Sequence, residues 1–127
     1  MSLPATFRPY ERINDPADFR RAFDRKRSAS DAFMVVHGVE NGRDHARLGI
    51  SVGRRKIRSA ARRNRVKRAL REAFRLNKAE LPTGLDLVVV PRGANLSVAE
   101  AQQSLPTLAR AVARRLGLRL GAKAPTP

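Results

Sequence analysis

The sequence predicts a single α+β domain in which helices pack on a small mixed sheet, in the chain order α-β-β-α-β-α. Three observations lead to this fold class. The chain has 127 residues, a length that suits one domain. Hydrophobic residues make up 42% of it, which is enough for a modest core. Helical and strand-like apolar patterns alternate along the chain, so neither type of element forms the fold alone.

A first helix is predicted to begin at Pro16, because Asp15 suits the N-cap and proline suits the first helical position. Phe19, Ala22 and Phe23 then fall on one face at helical spacing, which marks the side that packs. The preceding stretch has no such period, so we expect irregular structure there.

Two strands joined by a hairpin are predicted next. Residues 32–39 form an apolar run, and residues 40–44 contain Asn-Gly, the strongest short hairpin signal. The return strand is expected at residues 45–52. Apolar residues at positions 48, 50 and 52 alternate there with polar or small residues, which predicts one buried face and one exposed face.

A second helix and a third strand follow. Residues 53–58 are expected to form a basic loop, Ser59 suits the N-cap, and the helix is predicted over residues 60–77. Residues 85–91 are mostly an uninterrupted apolar run, which is typical of a central strand buried on both faces. A strand, a helix and a strand at this spacing predict a crossover between parallel strands.

The last helix is predicted over residues 97–116, where Ser97 and Glu100 have the spacing of a capping box. Pro106 interrupts its apolar stripe, so we expect the helix to kink or restart there. The domain is therefore assigned to residues 1–116, and residues 117–127 are expected to form a disordered tail.

The charge of the chain points to an anionic partner. With 27 basic and 11 acidic residues the formal net charge is +16, which opposes a compact state by self-repulsion. Nucleic acid and an anionic membrane surface are the two obvious polyanions. No apolar run approaches the length of a spanning helix, and the N-terminus lacks the apolar segment of a secretory signal. Cysteine is absent, which excludes thiolate chemistry and favours a cytoplasmic compartment.

The second helix has an apolar stripe and an opposite cationic face. Val66, Ala69, Leu70, Ala73 and Phe74 form the stripe, and Asn64, Arg65, Lys67, Arg68, Arg71 and Arg75 lie opposite or beside it. A solvated face is the ordinary explanation of such a charge run. Two points favour phosphate binding instead: one acidic residue accompanies these cations, and Arg62 and Arg63 lie at the positive end of the helix dipole. Replacing both by glutamine should therefore leave stability unchanged or higher.

The cations are mostly arginines, whose guanidinium groups bind phosphate bidentately and stack on unpaired bases. This favours structured RNA over a membrane surface, which requires a large exposed apolar helix face. Two other interpretations stay open from the residues alone. One is a basic structural protein of the ribosome, and the other is a DNA-binding helix, although the helix has no obvious set of base-reading side chains.

The stretch "ARRNRVKRALREAFR" resembles the Arg-Asn-Arg signature of the bacterial ribonuclease P protein component. The stretches "DFRRAF", "ARLGISVGRRKIRSA" and "GLDLVVVPRG" resemble the first helix, the strand with its basic loop, and the following strand of that family. The resemblance implies a protein that binds ribonuclease P RNA and precursor tRNA, in a complex that cleaves off the 5′ leader. It implies catalysis by the RNA with Mg²⁺ bound mainly by the RNA, and a left-handed strand–helix–strand crossover.

The resemblance also implies two sets of site residues. The residues assigned to the catalytic RNA are Arg54, Arg55, Lys56, Arg58, Arg62, Arg63, Asn64, Arg65, Lys67, Arg68 and Arg71. Phe19 and Phe23 match aromatics that line a cleft for the single-stranded leader, and Val36 stands nearest to a cleft-facing aromatic of the first strand. For the two phenylalanines simple core packing stays an alternative. No catalytic side chain, metal site, membrane contact or stable protein partner is expected; two histidines, His37 and His45, have no evident third ligand.

Overall fold

The computed structural model describes residues 7–118, in which one helix covers one face of a four-stranded sheet and two helices cover the other. The helices are α1 (Pro16–Arg25), α2 (Ala60–Asn77) and α3 (Val98–Arg115), and the strands are β1 (Ser28–Ser30), β2 (Met34–Glu40), β3 (Arg47–Ile50) and β4 (Leu85–Pro91). Short 3₁₀ helices at Pro9–Glu11 and Lys78–Glu80 precede α1 and follow α2. The predicted α+β class is confirmed, with one additional strand.

The sheet is mixed, as predicted, but its strand order is β1-β2-β4-β3, so β4 separates β2 from β3. β4 pairs antiparallel with the whole of β2 and parallel with β3. The parallel β3–α2–β4 crossover is therefore confirmed. Its left-handedness, which the family resemblance implies, stays a prediction.

The predicted hairpin at residues 40–44 is wrong, although the chain does turn there. Gly42 has a φ of +66°, in the left-handed region that favours glycine. Asn41 closes no two-residue hairpin. Its backbone N–H donates to the carbonyl of Gly84 and its side-chain Nδ2 donates to Oδ1 of Asp86, both at 3.0 Å. The Asn-Gly pair therefore fastens this loop to the beginning of β4, whose apolar run is paired on both sides.

β3 is buried on both faces, which contradicts the prediction that one face is exposed. Leu48 is 2% exposed on one side, whereas Arg47 is 8% exposed and Gly49 is buried on the other. The alternation of large apolar residues with arginine, glycine and serine identified the first face correctly. The second face is covered by α1 and by the segment before α1. That segment is also paired with β3 through a parallel bridge between Arg12 and Leu48.

β1 is absent from the predicted elements because Ser28–Ser30 is short and shows no apolar alternation. It forms because it pairs antiparallel with β2, which places Ala29 opposite Val36. Ala29 is only 7% exposed and belongs to the main core. Tertiary contact, and not a local pattern, therefore defines this edge strand.

The N-caps of α1, α2 and α3 are confirmed. Asp15 Oδ1 accepts from the N–H of Ala17 at 2.9 Å, and Ser59 Oγ accepts from the N–H of Arg62 at 3.2 Å. Ser97 and Glu100 form the reciprocal capping box at the start of α3. These local signals were sufficient because capping depends on near neighbours in the sequence.

Pro106 lies inside α3, which continues from Val98 to Arg115, so the predicted restart of the helix is wrong. Proline lacks the N–H that would bond to the carbonyl one turn earlier, which costs helix stability. Pro106 is itself buried, and Leu105 and Ala109 beside it are 0% exposed. Burial of this stretch against the sheet and α2 therefore outweighs the local backbone penalty.

The sheet separates two apolar cores. The larger lies between the sheet and the α2–α3 layer, and its most deeply buried side chains include Met34, Leu70, Phe74, Leu87 and Leu105. The smaller lies under α1 and consists of Ile13, Ala22, Val39 and Val88, with Phe19 and Phe23 packed against it. The first core fixes which face of α2 points outward, and the second holds α1 over the sheet.

The ordered chain extends slightly past the predicted boundary at residue 116. Gly117 has a φ of +77°, and the N–H of Leu118 donates to the carbonyl of Ala113 at 2.9 Å. Together with the bond from the N–H of Gly117 to the carbonyl of Arg114, this is a Schellman closure of α3. Residues 119–127, the rest of the predicted disordered tail, lie outside the described residues.

Candidate nucleic-acid interface

The outer face of α2 carries cations because its inner face is held in the main core. Val66, Leu70 and Phe74 are each 0% exposed. With 3.6 residues per turn, the intervening polar residues must point away from this core. Exposed on the helix are Arg62, Asn64, Arg65, Arg68 and Arg71, with Lys67 partly buried beside them. The predicted polarity of this helix is therefore confirmed.

The loop before α2 adds four exposed cations, Arg54, Arg55, Lys56 and Arg58. The N–H groups of Lys56 and Ile57 both donate to the carbonyl of Gly53, which shapes the loop as a turn. Ile57, the apolar residue in this basic run, is 3% exposed and belongs to the main core. Anchored by this side chain, the loop presents its cations next to the beginning of α2.

We call the exposed cations of this loop and of α2, together with Lys67, the basic surface. Its members are Arg54, Arg55, Lys56, Arg58, Arg62, Arg65, Lys67, Arg68 and Arg71. Within residues 7–118 none of them forms an ion pair with a carboxylate, whereas Arg75 at the end of α2 is paired with Glu72. Like charges so close together repel unless an anion lies between them, so this surface is suited to bind phosphates.

Arg63 differs from the other predicted phosphate-binding residues because its side chain is used inside the protein. Its Nη1 donates to the carbonyl of Ile57 at 2.7 Å and to the carbonyl of Arg58 at 2.9 Å. The guanidinium therefore fastens the first turn of α2 to the basic loop. The expectation that Arg62 and Arg63 act alike does not fit this geometry, and a phosphate contact by Arg63 would have to use its remaining N–H groups.

A cleft with an open volume of about 240 Å³ adjoins the basic surface. Its lining comes from the segment before α1, α1 itself, β3 and α2: Phe7, Arg12, Ile13, Asn14, Phe19, Leu48, Gly49, Ile50, Lys67 and Arg71. Lys67 and Arg71 thus belong both to the cleft and to the basic surface. Arg12 and Arg71 both line this cleft, and partial burial and then the nearby charge of Arg12 lower the pKa of Arg71.

Arg12 and Asn14 are cleft residues that the sequence patterns did not indicate. They lie in the irregular segment before α1, where no periodicity assigns a face. Arg12 also sits over the ring of Phe7, 4.9 Å from its centroid. The polar, proline-containing composition of this stretch indicates only irregular structure. The β-bridge between Arg12 and Leu48 is what places Arg12 at the cleft.

Phe19 lines the cleft and also packs against the smaller core. A position in the cleft wall and core packing, the two alternatives predicted for this residue, are therefore compatible. Gly49 makes this position possible. A Cβ on Gly49 would lie 2.9 Å from Cε1 and Cζ of Phe19 and 3.1 Å from Cβ of Ile13. The missing side chain in β3 is therefore what allows the aromatic ring to lie directly on the sheet.

Phe23 and Val36 do not occupy the places expected of cleft residues. The ring of Phe23 packs edge-on against His37, with centroids 4.8 Å apart, and Phe23 is not among the residues that line the cleft. Val36 is 0% exposed in the main core, on the opposite face of the sheet, so its assignment to the cleft is wrong. Side chains alternate along β2, so Val35, His37 and Val39 face the α1 side of the sheet.

A buried charge network beneath α1 holds the cleft together. Asp86, which is 0% exposed, accepts from Arg47 at 2.8 and 2.6 Å, from Arg21 at 3.1 Å and from Asn41 at 3.0 Å. Burial alone would raise the pKa of the Asp86 carboxyl, but the hydrogen bonds from Arg47 and Asn41 outweigh it and hold the pKa below its usual value. Asp18 of α1 also pairs with Arg47 at 3.3 Å, so the network links the helix to two strands.

The two histidines take part in packing. Burial lowers the pKa of His37, and its Nδ1 has no hydrogen-bond partner among residues 7–118. The ring of His45 lies edge-on to Tyr10 with centroids 5.0 Å apart. In residues 7–118 there is no group of three or more His, Cys, Asp or Glu side chains placed to hold a metal ion. The expected Mg²⁺ concerns the RNA partner and stays a prediction.

In the part of the chain that the structure describes, no helix is long and apolar enough to cross a membrane.

Comparison with known proteins shows that this sequence matches one protein family. The sequence model of the family described as Ribonuclease P matches residues 7–113. The chain is 44% identical over 90 residues to the "Ribonuclease P protein component" of Thermotoga maritima, a match that covers 71% of this chain and 76% of that protein.

Solved structures agree with the sequence comparison. The RNase P protein from Thermotoga maritima superposes with a TM-score of 0.70 at 36% identity, covering 79% of this chain and 96% of that one. The Staphylococcus aureus RNase P protein superposes with a TM-score of 0.68 at 33% identity, covering 79% and 93%. The similarity therefore extends over most of each chain and includes both the cleft and the basic surface.

Proposed function

The chain belongs to the ribonuclease P protein family, and on this premise we propose that it binds ribonuclease P RNA and the 5′ leader of precursor tRNA. In this proposal the complex is an endoribonuclease that hydrolyses one phosphodiester bond and releases the mature tRNA 5′ end. The RNA carries the chemistry, and the protein supplies binding energy and position. We place this activity in the cytoplasm.

The observation that supports the proposal best is that the basic surface and the cleft share Lys67 and Arg71. A folded RNA bound on α2 and a single strand bound in the cleft would therefore lie side by side. Phosphates from both would meet at the same two cations. This arrangement suits a protein that holds a substrate strand against a catalytic RNA.

Binding of the catalytic RNA is assigned to the basic surface. Its members have no carboxylate partner within residues 7–118, so an RNA backbone replaces no internal ion pair when it binds. Arginine offers two parallel N–H donors to a phosphate, and each neutralised phosphate releases condensed counterions. The exposed face is also rigid, because the opposite face of α2 is buried in the core.

Binding of the leader is assigned to the cleft. An open volume of about 240 Å³ suits nucleotides of a single strand and is far too small for a double helix. Phe19 provides an aromatic ring at the wall, and stacking of an unpaired base on such a ring contributes about 1–3 kcal/mol. Arg12, Lys67 and Arg71 supply positive charge for the phosphates of the same strand.

Among the described residues 7–118, the lining of the cleft includes no carboxylate and no histidine. The charged side chains in its lining are Arg12, Lys67 and Arg71, which act as hydrogen-bond donors toward phosphate oxygens. Mg²⁺ on the RNA would supply the activated water and stabilise the charge of the transition state. The contribution of this chain is to position the strand and to reduce phosphate repulsion.

The direct test is reconstitution with a bacterial ribonuclease P RNA and a precursor tRNA at low Mg²⁺ concentration. The wild-type protein should increase the cleavage rate at the mature 5′ end. If cleavage and substrate affinity are the same with and without the protein, the proposed function is wrong.

A second arm tests the leader assignment. Phe19→Leu keeps an apolar side chain against Gly49 but removes the ring, so the affinity of the complex for precursor tRNA should fall by roughly 5- to 150-fold, the factor that corresponds to the stacking energy of one base. Affinity for mature tRNA should not change. The control is Phe23→Leu, which changes a ring that does not line the cleft. Equal losses for precursor and mature tRNA, or equal effects of both variants, would contradict a leader contact at Phe19.

A further inference from the structure

A second group of exposed cations lies at the other edge of the sheet from the basic surface. It consists of Lys26 and Arg27, between α1 and β1, and Arg114 and Arg115, at the end of α3. We call these four residues the edge patch. Neither the leader cleft nor the basic surface includes any of them.

The fold brings the two parts of the edge patch together. The guanidinium of Arg115 donates through Nη1 to the carbonyl of Ser28, which attaches the last turn of α3 to β1. The carbonyl of Arg27 accepts from the N–H of Gly38 at 3.0 Å, so this residue continues the pairing of β1 with β2. Arg27 and Arg115 therefore lie on adjacent elements, and Lys26 and Arg114 immediately precede them in the chain.

No carboxylate of residues 7–118 forms an ion pair with the edge patch. Among the nearby acids, Glu40 is already bound by Arg25, with Nε to Oε1 at 3.1 Å and Nη2 to Oε2 at 3.3 Å. Asp31 accepts from the backbone N–H groups of Phe33 and Met34. Hydrogen bonding to Arg25 lowers the pKa of Glu40 and the charge of Arg27 adds to this effect, but the four cations of the edge patch form no ion pair within residues 7–118.

Lys26 is held in a conformation that is unfavourable for a lysine. It has a φ of +57° and is the one described residue other than glycine with a positive φ. A left-handed residue with a Cβ costs roughly 1–2 kcal/mol, and glycine would occupy this cap without that cost. Lysine thus occupies a position where glycine would give a more stable helix end. We interpret this as a sign that the positive charge of Lys26 has a role in binding.

The edge patch and the basic surface lie at opposite edges of the sheet. β1 and β3 are opposite edges of the four-stranded sheet, separated by three strand spacings or about 14 Å. The two strands run in the same direction, since β1 and β4 are both antiparallel to β2 and β3 is parallel to β4. The basic loop follows the end of β3, whereas the edge patch lies at the beginning of β1, so the two groups occupy opposite ends as well as opposite edges.

We propose that the edge patch is a second RNA-binding surface, which contacts the phosphate backbone of an RNA segment distinct from the segment on α2. This inference rests on the proposed function, since that function supplies the RNA. Arginine and lysine side chains that form no ion pair with a carboxylate of residues 7–118 match the charge of the backbone, and the edge strand offers no base-reading groove. The contact is therefore expected to be independent of sequence and strongly dependent on salt.

The test compares two variants of equal charge change in the full complex. Arg27→Gln/Arg114→Gln alters the edge patch and spares Arg115, which has a structural bond; Arg20→Gln/Arg43→Gln removes two exposed arginines outside both surfaces. The plot of log affinity against log salt, for a bacterial ribonuclease P RNA, should become shallower by about 1.5 for the edge variant. The control variant should change it much less. Urea unfolding of the free proteins checks that both variants fold.

Footprinting of the same complexes locates the segment. Wild-type protein should protect two separate stretches of the RNA, and the edge variant should lose protection of one while the α2 stretch stays protected. Equal slopes and equal footprints for the edge and control variants would overturn the second surface and leave the proposed function intact. A wild-type protein that protects no part of the RNA would overturn both.

Discussion

At the scale of single residues, adjacent cations in the first turn of α2 have different surroundings. Arg62 is exposed and contributes its backbone N–H to the cap, whereas the guanidinium of Arg63 bonds to two loop carbonyls. Local sequence could not separate them, because both are arginines at the positive end of a helix. The difference arises from the path of the loop, which returns to Arg63 after Ile57 enters the core.

Arg63→Gln should therefore lower the free energy of unfolding by about 1–3 kcal/mol, since it removes two hydrogen bonds from a charged donor. Arg62→Gln should change it little, or raise it slightly by removing a cation from the positive end of the helix dipole. Urea unfolding of both variants measures the difference. Equal stability of the two would mean that the Arg63 bonds contribute nothing to the fold.

Gly49→Ala should affect both stability and leader binding. The added Cβ would meet the Phe19 ring at 2.9 Å, so the ring must move away from the sheet. Overpacking of this kind costs typically about 1–3 kcal/mol, and the displaced ring should weaken binding of precursor tRNA but not of mature tRNA. Gly53→Ala is the matched control, because a Cβ there has no heavy atom within 4 Å. Unchanged stability and leader affinity in Gly49→Ala would contradict the close packing of Phe19.

At the scale of elements, α1 is positioned by a charge network as much as by apolar contact. Arg47 and Asp86 are buried in neighbouring strands, and Asp18 and Arg21 reach them from the helix. Because the cleft lies between α1, β3 and α2, this network also fixes one of its walls. The position of α1, and so the shape of the cleft, should depend on the charge of Asp86.

Removing that charge should destabilise the protein in a pH-dependent way. Asp86→Asn leaves the buried Arg47 with Asp18 as its remaining carboxylate partner, so the cost should approach but not exceed the roughly 3–5 kcal/mol of a broken buried pair near neutral pH. The folded state lowers the pKa of Asp86, so its contribution is complete above the unfolded value of about 3.9 and is lost as the pH falls through the lower, folded value. The stability difference between wild type and Asp86→Asn should therefore shrink below about pH 4. Urea unfolding from pH 7 to pH 2 tests this, and a difference that stays constant would contradict it.

The sequence predicted helices better than strand order. The caps of α1, α2 and α3 and the two faces of α2 follow from neighbours within one or two turns, so local patterns located them. The insertion of β4 between β2 and β3 depends on pairing across more than 40 residues, and Asn-Gly wrongly suggested a hairpin. Cleft residues were predicted only in part. Arg12 reaches the cleft through its nonlocal β-bridge to Leu48. Neighbouring residues of a strand face opposite sides of the sheet, so Val36 lies in the main core, whereas His37 beside it faces the α1 side.

At the scale of the whole molecule, the excess charge of +16 is distributed unevenly. Most acidic side chains of the described residues are engaged within the protein, in ion pairs such as Glu11–Lys78 and Arg25–Glu40 or in helix caps such as Asp15 and Glu100. The uncompensated cations are concentrated on the basic surface, along the cleft and at the edge patch. The fold thus has a largely charge-balanced interior and several cationic areas directed outward, as expected for a protein that is completed by RNA.

The central claim is that the basic surface binds ribonuclease P RNA, and the salt dependence of that affinity tests it most directly. Arg65→Gln/Arg68→Gln removes two exposed cations of α2, and Arg20→Gln/Arg43→Gln is the control of equal charge. The slope of log affinity against log salt should become shallower by about 1.5 to 2 for the α2 variant, the value for two lost phosphate contacts, and much less for the control. Identical slopes and affinities for the two variants would show that net charge alone attracts the RNA, and would contradict a specific binding surface on α2.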